Sequence, residues 1–262
     1  MNSIQTFANL ASIILNQKYD KIFRYKKFDI KKLCHSDLLI QLIETFPTKH
    51  LKYFIDNAIN LECVDNENWR PIHYFLRYAK NDDIIKYLIN KKINLEICNN
   101  NGRAPIHFAT RYCSLDIIKM LVGLGINLER TDINQWRPIH FAIRYRPTEP
   151  KIIKYFLKQN INLEAETCDK WRPIHLMARY APDDLIIALI NKGIDLEAAD
   201  AEQWRPIHYL LRYCQPETIS CALNKGVNLT CPNINGHCPI DFALKFATPE
   251  IYLFIKNKLN FV

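Results

Sequence analysis

Short apolar segments with helical spacing alternate with polar turns over most of this chain. In residues 65–98, the turn-rich run Asp65–Asn68 precedes an apolar segment that opens at Pro71. Proline is tolerated at the first position of a helix, where the backbone N–H has no intrahelical partner. A second segment follows Asn81, whose side chain can cap a helix N-terminus; its wide apolar stripe consists of Ile84, Ile85, Tyr87, Leu88 and Ile89. The pattern predicts a helix over about residues 71–79, a turn, and a second helix that is largely buried.

One phrase recurs along the chain at a nearly fixed interval. Trp-Arg-Pro-Ile-His begins at Trp69 and is followed by Arg77-Tyr78; the same phrase begins again at Trp136, Trp171 and Trp204. Looser copies begin at positions 103 and 237, and the prolines of the six copies are Pro71, Pro105, Pro138, Pro173, Pro206 and Pro239. Successive prolines are therefore 34, 33, 35, 33 and 33 residues apart. A period near 33 residues is typical of stacked repeats, in which each helical unit buries its apolar face against its neighbours.

The repeated unit resembles the ankyrin repeat. Pro-Ile-His stands where that family has Pro-Leu-His, Ile-Ile-Lys-Tyr-Leu-Ile matches its second helix, and Ile-Asn-Leu-Glu matches its Ala-Asp-Val-Asn. The resemblance covers about residues 48–262 and implies an all-α solenoid of stacked helix-turn-helix units. We expect six repeats over residues 65–262, with starts near 65, 99, 132, 167, 200 and 233, after a degenerate capping repeat at 36–64. Residues 1–35 lie outside the pattern and are expected to form a helical N-terminal extension.

The first departure from the family pattern concerns the turns. The glycine that usually precedes the variable turn position survives only as Gly102 and Gly236. A left-handed backbone at this position would strain most side chains, although asparagine tolerates it. The residues that replace glycine are Asn68, Gln135, Lys170 and Gln203.

The second departure concerns the start of the first helix, where arginine replaces the usual threonine in four repeats. Arginine has no acceptor atom with which to cap a helix, and losing a threonine cap costs about 1 kcal/mol. We therefore expect a compensating interaction. A glutamate lies eight residues before each arginine, and the hypothesis is four ion pairs: Arg70–Glu62, Arg137–Glu129, Arg172–Glu164 and Arg205–Glu197.

The composition gives limited information about the charge of the partner and about the cellular compartment. The formal net charge of +8 favours acidic partners but does not by itself imply nucleic acid. Nine cysteines without regular pairing favour a reducing compartment, so we expect a cytoplasmic protein. No segment is long and apolar enough to span a membrane, and the start lacks the basic region of a signal peptide. The amphipathic run Ser3–Gln17 and the basic run Lys18–Lys32 are interpreted as a solvated extension of the cap, with membrane-surface or nucleic-acid contact as the alternatives.

The sequence predicts neither catalysis nor a cofactor. Equivalent side chains of stacked repeats lie too far apart to share a zinc ion, whose bonds to nitrogen are about 2 Å long. The histidine that occurs once in each of five repeats is therefore interpreted as structural; the five are His73, His107, His140, His175 and His208. Cys231, His237 and Cys238 lie close in sequence but lack a fourth ligand. Glycine-rich phosphate loops and Gly-x-Ser-x-Gly elbows are absent from the sequence, so we expect no metal, cofactor or catalytic residue.

The resemblance implies a partner-binding surface at the turn tips and on the exposed side of the first helices. On this chain that surface would carry tryptophan, arginine and tyrosine, the residue types that dominate binding hot spots. The candidate residues are Trp69, Arg77, Tyr78, Arg111, Tyr112, Trp136, Arg144, Tyr145, Trp171, Arg179, Tyr180, Trp204, Arg212 and Tyr213.

Two interpretations of these residues stay open at this point. Either they only hold neighbouring repeats together through cation–π contacts, or they also bind a partner. The expected partner is an acidic peptide or a protein with an acidic patch. Single-stranded nucleic acid also favours arginine interleaved with aromatic residues, but the nearby glutamates would repel its phosphates. The predicted function is a non-enzymatic protein-binding scaffold or adaptor; the alternatives are an inhibitor that occludes a partner enzyme and a nucleic-acid-associated regulatory protein.

Overall fold

The computed structural model describes residues 36–57 and 59–260, and these residues form fourteen helices and no strand. The helices are α1 (Ser36–Thr45), α2 (Thr48–Asn57), α3 (Pro71–Tyr78), α4 (Asp82–Ile89), α5 (Pro105–Tyr112), α6 (Leu115–Gly123), α7 (Pro138–Tyr145), α8 (Pro150–Phe156), α9 (Pro173–Tyr180), α10 (Asp183–Asn191), α11 (Pro206–Tyr213), α12 (Pro216–Leu223), α13 (Pro239–Phe246) and α14 (Pro249–Asn260). The predicted all-α repeat fold is confirmed. The extension predicted for residues 1–35 lies outside the described residues.

The helices belong to two compact units, of which the first ends at Asn100 and the second begins at Asn101. In the first unit, α1 packs on α3 and α2 packs on α4. In the second unit, α5, α7, α9, α11 and α13 pack in series, and so do α8, α10, α12 and α14. Each odd-numbered helix of this unit also packs on the even-numbered helix that follows it. The assignment of residues 36–64 as a capping repeat stays a prediction.

The first helix of each repeat is buried along most of its length. In α7, proline occupies the first helical position, and all residues from Pro138 to Ile143 are buried. Only the last two residues, Arg144 and Tyr145, are exposed. A helix this short is marginal by itself, so its stability comes from neighbours on both sides. Its C-terminal end is the part that can contact a partner.

The second helix of each repeat is amphipathic and buries one stripe. In α8 the buried residues are Ile152, Ile153 and Phe156, the spacing expected for one helical face. Side-chain caps occur where the sequence supplies them. The Asn81 side chain accepts a hydrogen bond of 2.8 Å from the backbone N–H of Asp83, which confirms the cap predicted for α4.

Two features of the described residues concern the cysteines and the possibility of a membrane span. Seven cysteines of the described residues carry free thiols. None of the described helices combines the length and the apolar character that a membrane crossing requires.

The turn before each first helix contains a left-handed residue. The backbone φ is 59° at Gln135, 58° at Lys170 and 61° at Gln203. Asn68 and the two glycines, Gly102 and Gly236, share this conformation. The backbone is therefore left-handed at this position, and three repeats hold a strained side chain in it.

Replacing Gln135 with glycine is expected to raise the free energy of unfolding by about 0.5–1 kcal/mol, because glycine adopts a positive φ without steric cost. Urea unfolding of the wild type and the variant measures the difference. The reverse change, Gly102→Gln, is the matched control and should destabilise by more than Gln135→Gly stabilises. A Cβ on Gly102 would lie 2.9 Å from the backbone nitrogen of Ile133. A destabilising Gln135→Gly variant would show that the side chain contributes more than the strain costs.

Candidate partner-binding surface

A histidine locks the start of the first helix in five repeats. Its Nδ1 accepts a hydrogen bond from the backbone N–H three residues earlier, at 2.9–3.0 Å. In four of the repeats, Nε2 lies 3.0–3.2 Å from a backbone carbonyl oxygen 23–25 residues further along the chain. Because Nδ1 accepts, the proton of the neutral ring is on Nε2, which donates to that carbonyl. In these four repeats both ring nitrogens are bonded to the backbone, which agrees with the structural interpretation of the histidines.

Burial holds these rings in the neutral form. Desolvation lowers the pKa of His140 to about 4 and also lowers the pKa values of His107, His175 and His208. Protonation would also place a hydrogen on Nδ1, where the backbone N–H already points. Protonation of these rings is therefore expected to disrupt the hydrogen bonds at the helix starts.

The four predicted Arg–Glu ion pairs are present, and we call them the Arg–Glu staples. The distance from arginine nitrogen to glutamate oxygen is 2.9 Å in two of them and 3.7 Å in a third. The staples are Arg70–Glu62, Arg137–Glu129, Arg172–Glu164 and Arg205–Glu197. The hypothesis from the eight-residue spacing is confirmed, and these arginines serve the fold.

The staple glutamates also connect consecutive repeats. The second carboxylate oxygen of Glu129 accepts a hydrogen bond of 2.8 Å from the backbone N–H of Asn162 in the next repeat. Equivalent bonds of 2.7 Å join Glu164 to Asp195 and Glu197 to Asn228. The glutamates are therefore neutralised by arginine and backbone N–H groups. This weakens the expectation that they repel phosphates from the neighbouring surface.

Buried aspartates accept hydrogen bonds from the backbone of the turns, and the sequence pattern did not predict these bonds. One oxygen of Asp200 accepts from the backbone N–H groups of Glu202 and Trp204, at 2.9 and 2.8 Å, and the other accepts from the Tyr209 hydroxyl at 2.6 Å. Where the tyrosine position is phenylalanine, the pattern changes: the second oxygen of Asp132 accepts from Arg103 Nε at 3.2 Å. An Asp-to-Tyr spacing of nine residues was the available signal.

The repeated tryptophans are half-buried and lie against the framework. Trp136 packs edge-on to His140 and Phe141, with ring centroids 6.0 and 5.8 Å apart. Two other tryptophans contact an aromatic ring of the next repeat. The ring centroids are 5.1 Å apart for Trp171 and Tyr209 and 5.0 Å apart for Trp204 and Phe242. Trp171 and Trp204 therefore join neighbouring repeats, whereas Trp136 packs within its own repeat.

Arginine and tyrosine alternate along the C-terminal ends of the first helices of the second unit. We call this row the Arg–Tyr ladder, which consists of Arg111, Tyr112, Arg144, Tyr145, Arg179, Tyr180, Arg212 and Tyr213. Each guanidinium carbon lies 5.1–5.7 Å from the ring centroid of the tyrosine beside it in the chain. Each also lies over an aromatic ring of the following repeat, at 3.9, 4.5, 5.9 and 5.5 Å, and the last of these rings is Phe246. The ladder thus crosses every boundary between repeats of this unit.

The ladder arginines differ from the staple arginines in charge environment. Within the described part of the chain, no carboxylate oxygen lies within 4 Å of the guanidinium nitrogens of Arg111, Arg144, Arg179 or Arg212. Arg144, Arg179 and Arg212 are exposed, whereas the side chains of Arg137 and Arg172 are only 22% and 19% exposed. The second unit therefore presents a row of positive charges without bound counter-charges.

The first unit also has an arginine at the end of its first helix that lies over aromatic rings. Arg77 lies over Trp69 and Tyr78, with its guanidinium carbon 5.6 and 5.0 Å from the ring centroids. The sequence-predicted site residues thus fall into two groups. The arginines and tyrosines of the second unit form an accessible row, whereas the tryptophans pack against histidine and other aromatic rings. Nothing among the described residues brings three or more His, Cys, Asp or Glu side chains together as metal ligands.

Comparisons with known proteins agree with this geometry. A family model described as ankyrin repeats (3 copies) matches residues 39–132, and one described as ankyrin repeats (many copies) matches residues 111–157. The human ASB11 ankyrin repeat domain has a similar crystal structure, with a TM-score of 0.69 and 20% identity over 83% of this chain and 96% of that one. A chain from the complex of the Bd0816 predatory endopeptidase from Bdellovibrio bacteriovorus with immunity protein Bd3460 is also similar. Its TM-score is 0.60, with 20% identity over 71% of this chain and 97% of that one. A search of curated proteins finds no match.

Proposed function

We propose that this chain, in which ankyrin repeat models match residues 39–132 and 111–157, is a non-enzymatic scaffold or adaptor that binds another protein through the Arg–Tyr ladder. One observation carries the proposal. Three ladder arginines, Arg144, Arg179 and Arg212, are exposed and have no carboxylate of the described residues within 4 Å, whereas the arginines at the helix starts are paired with glutamate. The chain supplies counter-charges where arginine serves the fold and omits them along this row. The acidic groups that complete the row are those of the partner.

The energetics of the exposed row favour charge-based recognition. Arginine donates paired hydrogen bonds to carboxylates, and such bonds are stronger than neutral ones. The stacked rings hold each guanidinium in place, which reduces the entropy lost when a partner binds. Tyrosine and arginine are also enriched at the energetic centres of interfaces. The row is therefore preorganised for an acidic surface or segment.

The repeated histidines support a non-enzymatic role. Their Nδ1 atoms accept backbone hydrogen bonds, and burial keeps the rings neutral. An imidazole committed in this way has no free nitrogen with which to take a proton from a substrate.

An inhibitor that occludes a partner enzyme is the second candidate. The observation that favours it is the structural similarity to a chain from a complex of an endopeptidase with an immunity protein. An inhibitor would bind one enzyme stoichiometrically and abolish its activity, whereas a scaffold would leave the activity of its partners intact. Activity assays on each captured partner separate the two roles.

The test is affinity capture from cell lysate with three forms of the full chain. The ladder variant carries Arg144→Gln, Arg179→Gln and Arg212→Gln. The control carries Lys119→Ala, Lys151→Ala and Lys154→Ala, which removes the same charge from exposed positions on α6 and α8. Circular dichroism establishes that all three forms are folded. The proposal predicts proteins that are retained by the wild type and the lysine control and lost by the ladder variant; identical recovery by all three forms would overturn it.

A further inference from the structure

We propose that the ligand of the Arg–Tyr ladder is an extended acidic peptide in the polyproline II conformation, with a carboxylate at every third residue. This inference rests on the proposed function and specifies its partner. It follows from three properties of the ladder: its periodicity, the part of each guanidinium that remains accessible, and the spacing of its arginines.

The ladder presents the same chemical group in four consecutive repeats. Arg111, Arg144, Arg179 and Arg212 each lie between the tyrosine of their own repeat and an aromatic ring of the next one. A folded partner surface is irregular and would require different side chains in different repeats. A row of equivalent cationic sites instead matches a ligand whose charges recur along its length, because several weak contacts then add up through effective concentration.

The stacking leaves only one part of each guanidinium available. Aromatic rings lie over the planar group, at 4.5 Å and 5.7 Å in the case of Arg144. The N–H groups lie in the plane of the guanidinium, and this edge binds oxyanions such as carboxylates in a bidentate manner. The ladder arginines therefore select acidic side chains over aromatic or aliphatic ones.

The same stacking argues against single-stranded nucleic acid. Binding of single strands relies on bases that stack on aromatic faces. Two guanidinium carbons lie over the ring of Tyr145, at 3.9 and 5.7 Å, and two lie over the ring of Tyr180, at 4.5 and 5.3 Å. These rings are already occupied, so a base would have to displace an arginine in order to stack.

The spacing of the ladder arginines favours a ligand in the polyproline II conformation. The first helices of the second unit pack in series, and packed helices lie about 8–10 Å apart, so equivalent arginines on consecutive first helices are expected to recur at about that distance. A polyproline II helix has three residues per turn and a rise of about 3.1 Å, so every third side chain lies on one face about 9 Å apart. In a β-strand, residues on one face recur every second position, about 6.6 Å apart. Only the former matches the ladder.

Fluorescence anisotropy with synthetic peptides tests the inference. The probe is (Glu-Pro-Pro)5, which places five carboxylates on one face. The comparison peptide is (Glu-Pro-Pro-Pro)5, which has the same charge but distributes its carboxylates around the helix. A thymidine oligonucleotide with five phosphates is the third ligand. We expect the wild type and the lysine control to bind the first peptide about tenfold more tightly than the second, and the ladder variant to lose this preference.

Each other outcome overturns a stated part of the account. The wild type could bind both peptides with equal affinity while the ladder variant binds neither. This result would overturn the carboxylate at every third residue but keep the ladder as a binding site for acidic ligands. Tighter binding of the oligonucleotide than of either peptide would overturn the peptide assignment in favour of nucleic acid. Absence of binding to the wild type at millimolar peptide concentration would overturn the inference alone, because the lysate capture tests the proposed function independently.

Discussion

Acidification from pH 7.5 to pH 5 is expected to destabilise this protein strongly, before most of its carboxylates titrate. Burial lowers the pKa of His140 from 6.5 to about 4. The unfolded chain therefore binds a proton in this range that the folded chain does not, so the stability is complete above pH 6.5 and is lost as the pH falls towards 4. His140 alone should account for a loss of about 2 kcal/mol at pH 5 and about 3 kcal/mol at pH 4. The lowered pKa values of three further histidines act in the same direction.

The measurement is urea unfolding of the full chain at pH 7.5 and at pH 5, compared with the variant His140→Asn. The chain suggests this control, because Asp241 takes the histidine position in the last repeat and accepts from the backbone N–H of Cys238 at 2.7 Å. Asparagine keeps that acceptor but does not titrate. The variant should be less stable at pH 7.5, since the bond to the Ala165 carbonyl is lost. Its loss between the two pH values should be about 2 kcal/mol smaller than that of the wild type; an unchanged loss would refute the account.

Replacing Asp200 with alanine should lower the free energy of unfolding by about 3 kcal/mol. Asp200 is 1% exposed, and alanine would leave the backbone N–H of Trp204 and the hydroxyl of the buried Tyr209 without their acceptor. A buried donor that loses its partner costs about 1–3 kcal/mol. Thermal and urea unfolding at pH 7.5 measure the effect.

The matched control for Asp200 is the double variant Asp200→Asn with Tyr209→Phe. Another repeat uses this combination: Asn233 accepts from the backbone N–H of His237 at 3.1 Å, and Phe242 takes the tyrosine position. The double variant removes the hydroxyl together with the charge, so it should lose less than about 1.5 kcal/mol. If it is as unstable as Asp200→Ala, the cost does not come from orphaned donors.

The sequence predicted the fold well, because repetition multiplies a weak local signal. The first-helix boundaries follow directly from proline at one end and the Arg-Tyr pair at the other. The Arg137–Glu129 pair was predictable because the same two residue types recur eight residues apart at the start of four repeats. The left-handed residue at Gln135 was predictable from the glycine that the pattern usually has there.

The candidate site was predicted only as a list of residue types. Whether Arg144 pairs with a carboxylate or stacks on Tyr180 depends on how consecutive repeats are oriented, and a single repeat does not encode that orientation. The bond between Asp200 and Tyr209 was missed for a different reason. An aspartate in a turn is ordinarily exposed, and only packing of the neighbouring turns buries it.

Nuclear magnetic resonance of the arginine side chains tests the central claim most directly. The Nε–Hε signals of Arg144, Arg179 and Arg212 would be followed during titration with (Glu-Pro-Pro)5, with those of Arg137, Arg172 and Arg205 as internal controls in the same molecule. The account predicts saturable shifts of the ladder signals with a common dissociation constant, while the staple signals stay in place. Equal shifts of both sets would mean that the peptide senses only the net positive charge, and shifts confined to the staples would place any binding elsewhere; either result would contradict the ladder as the partner-binding surface.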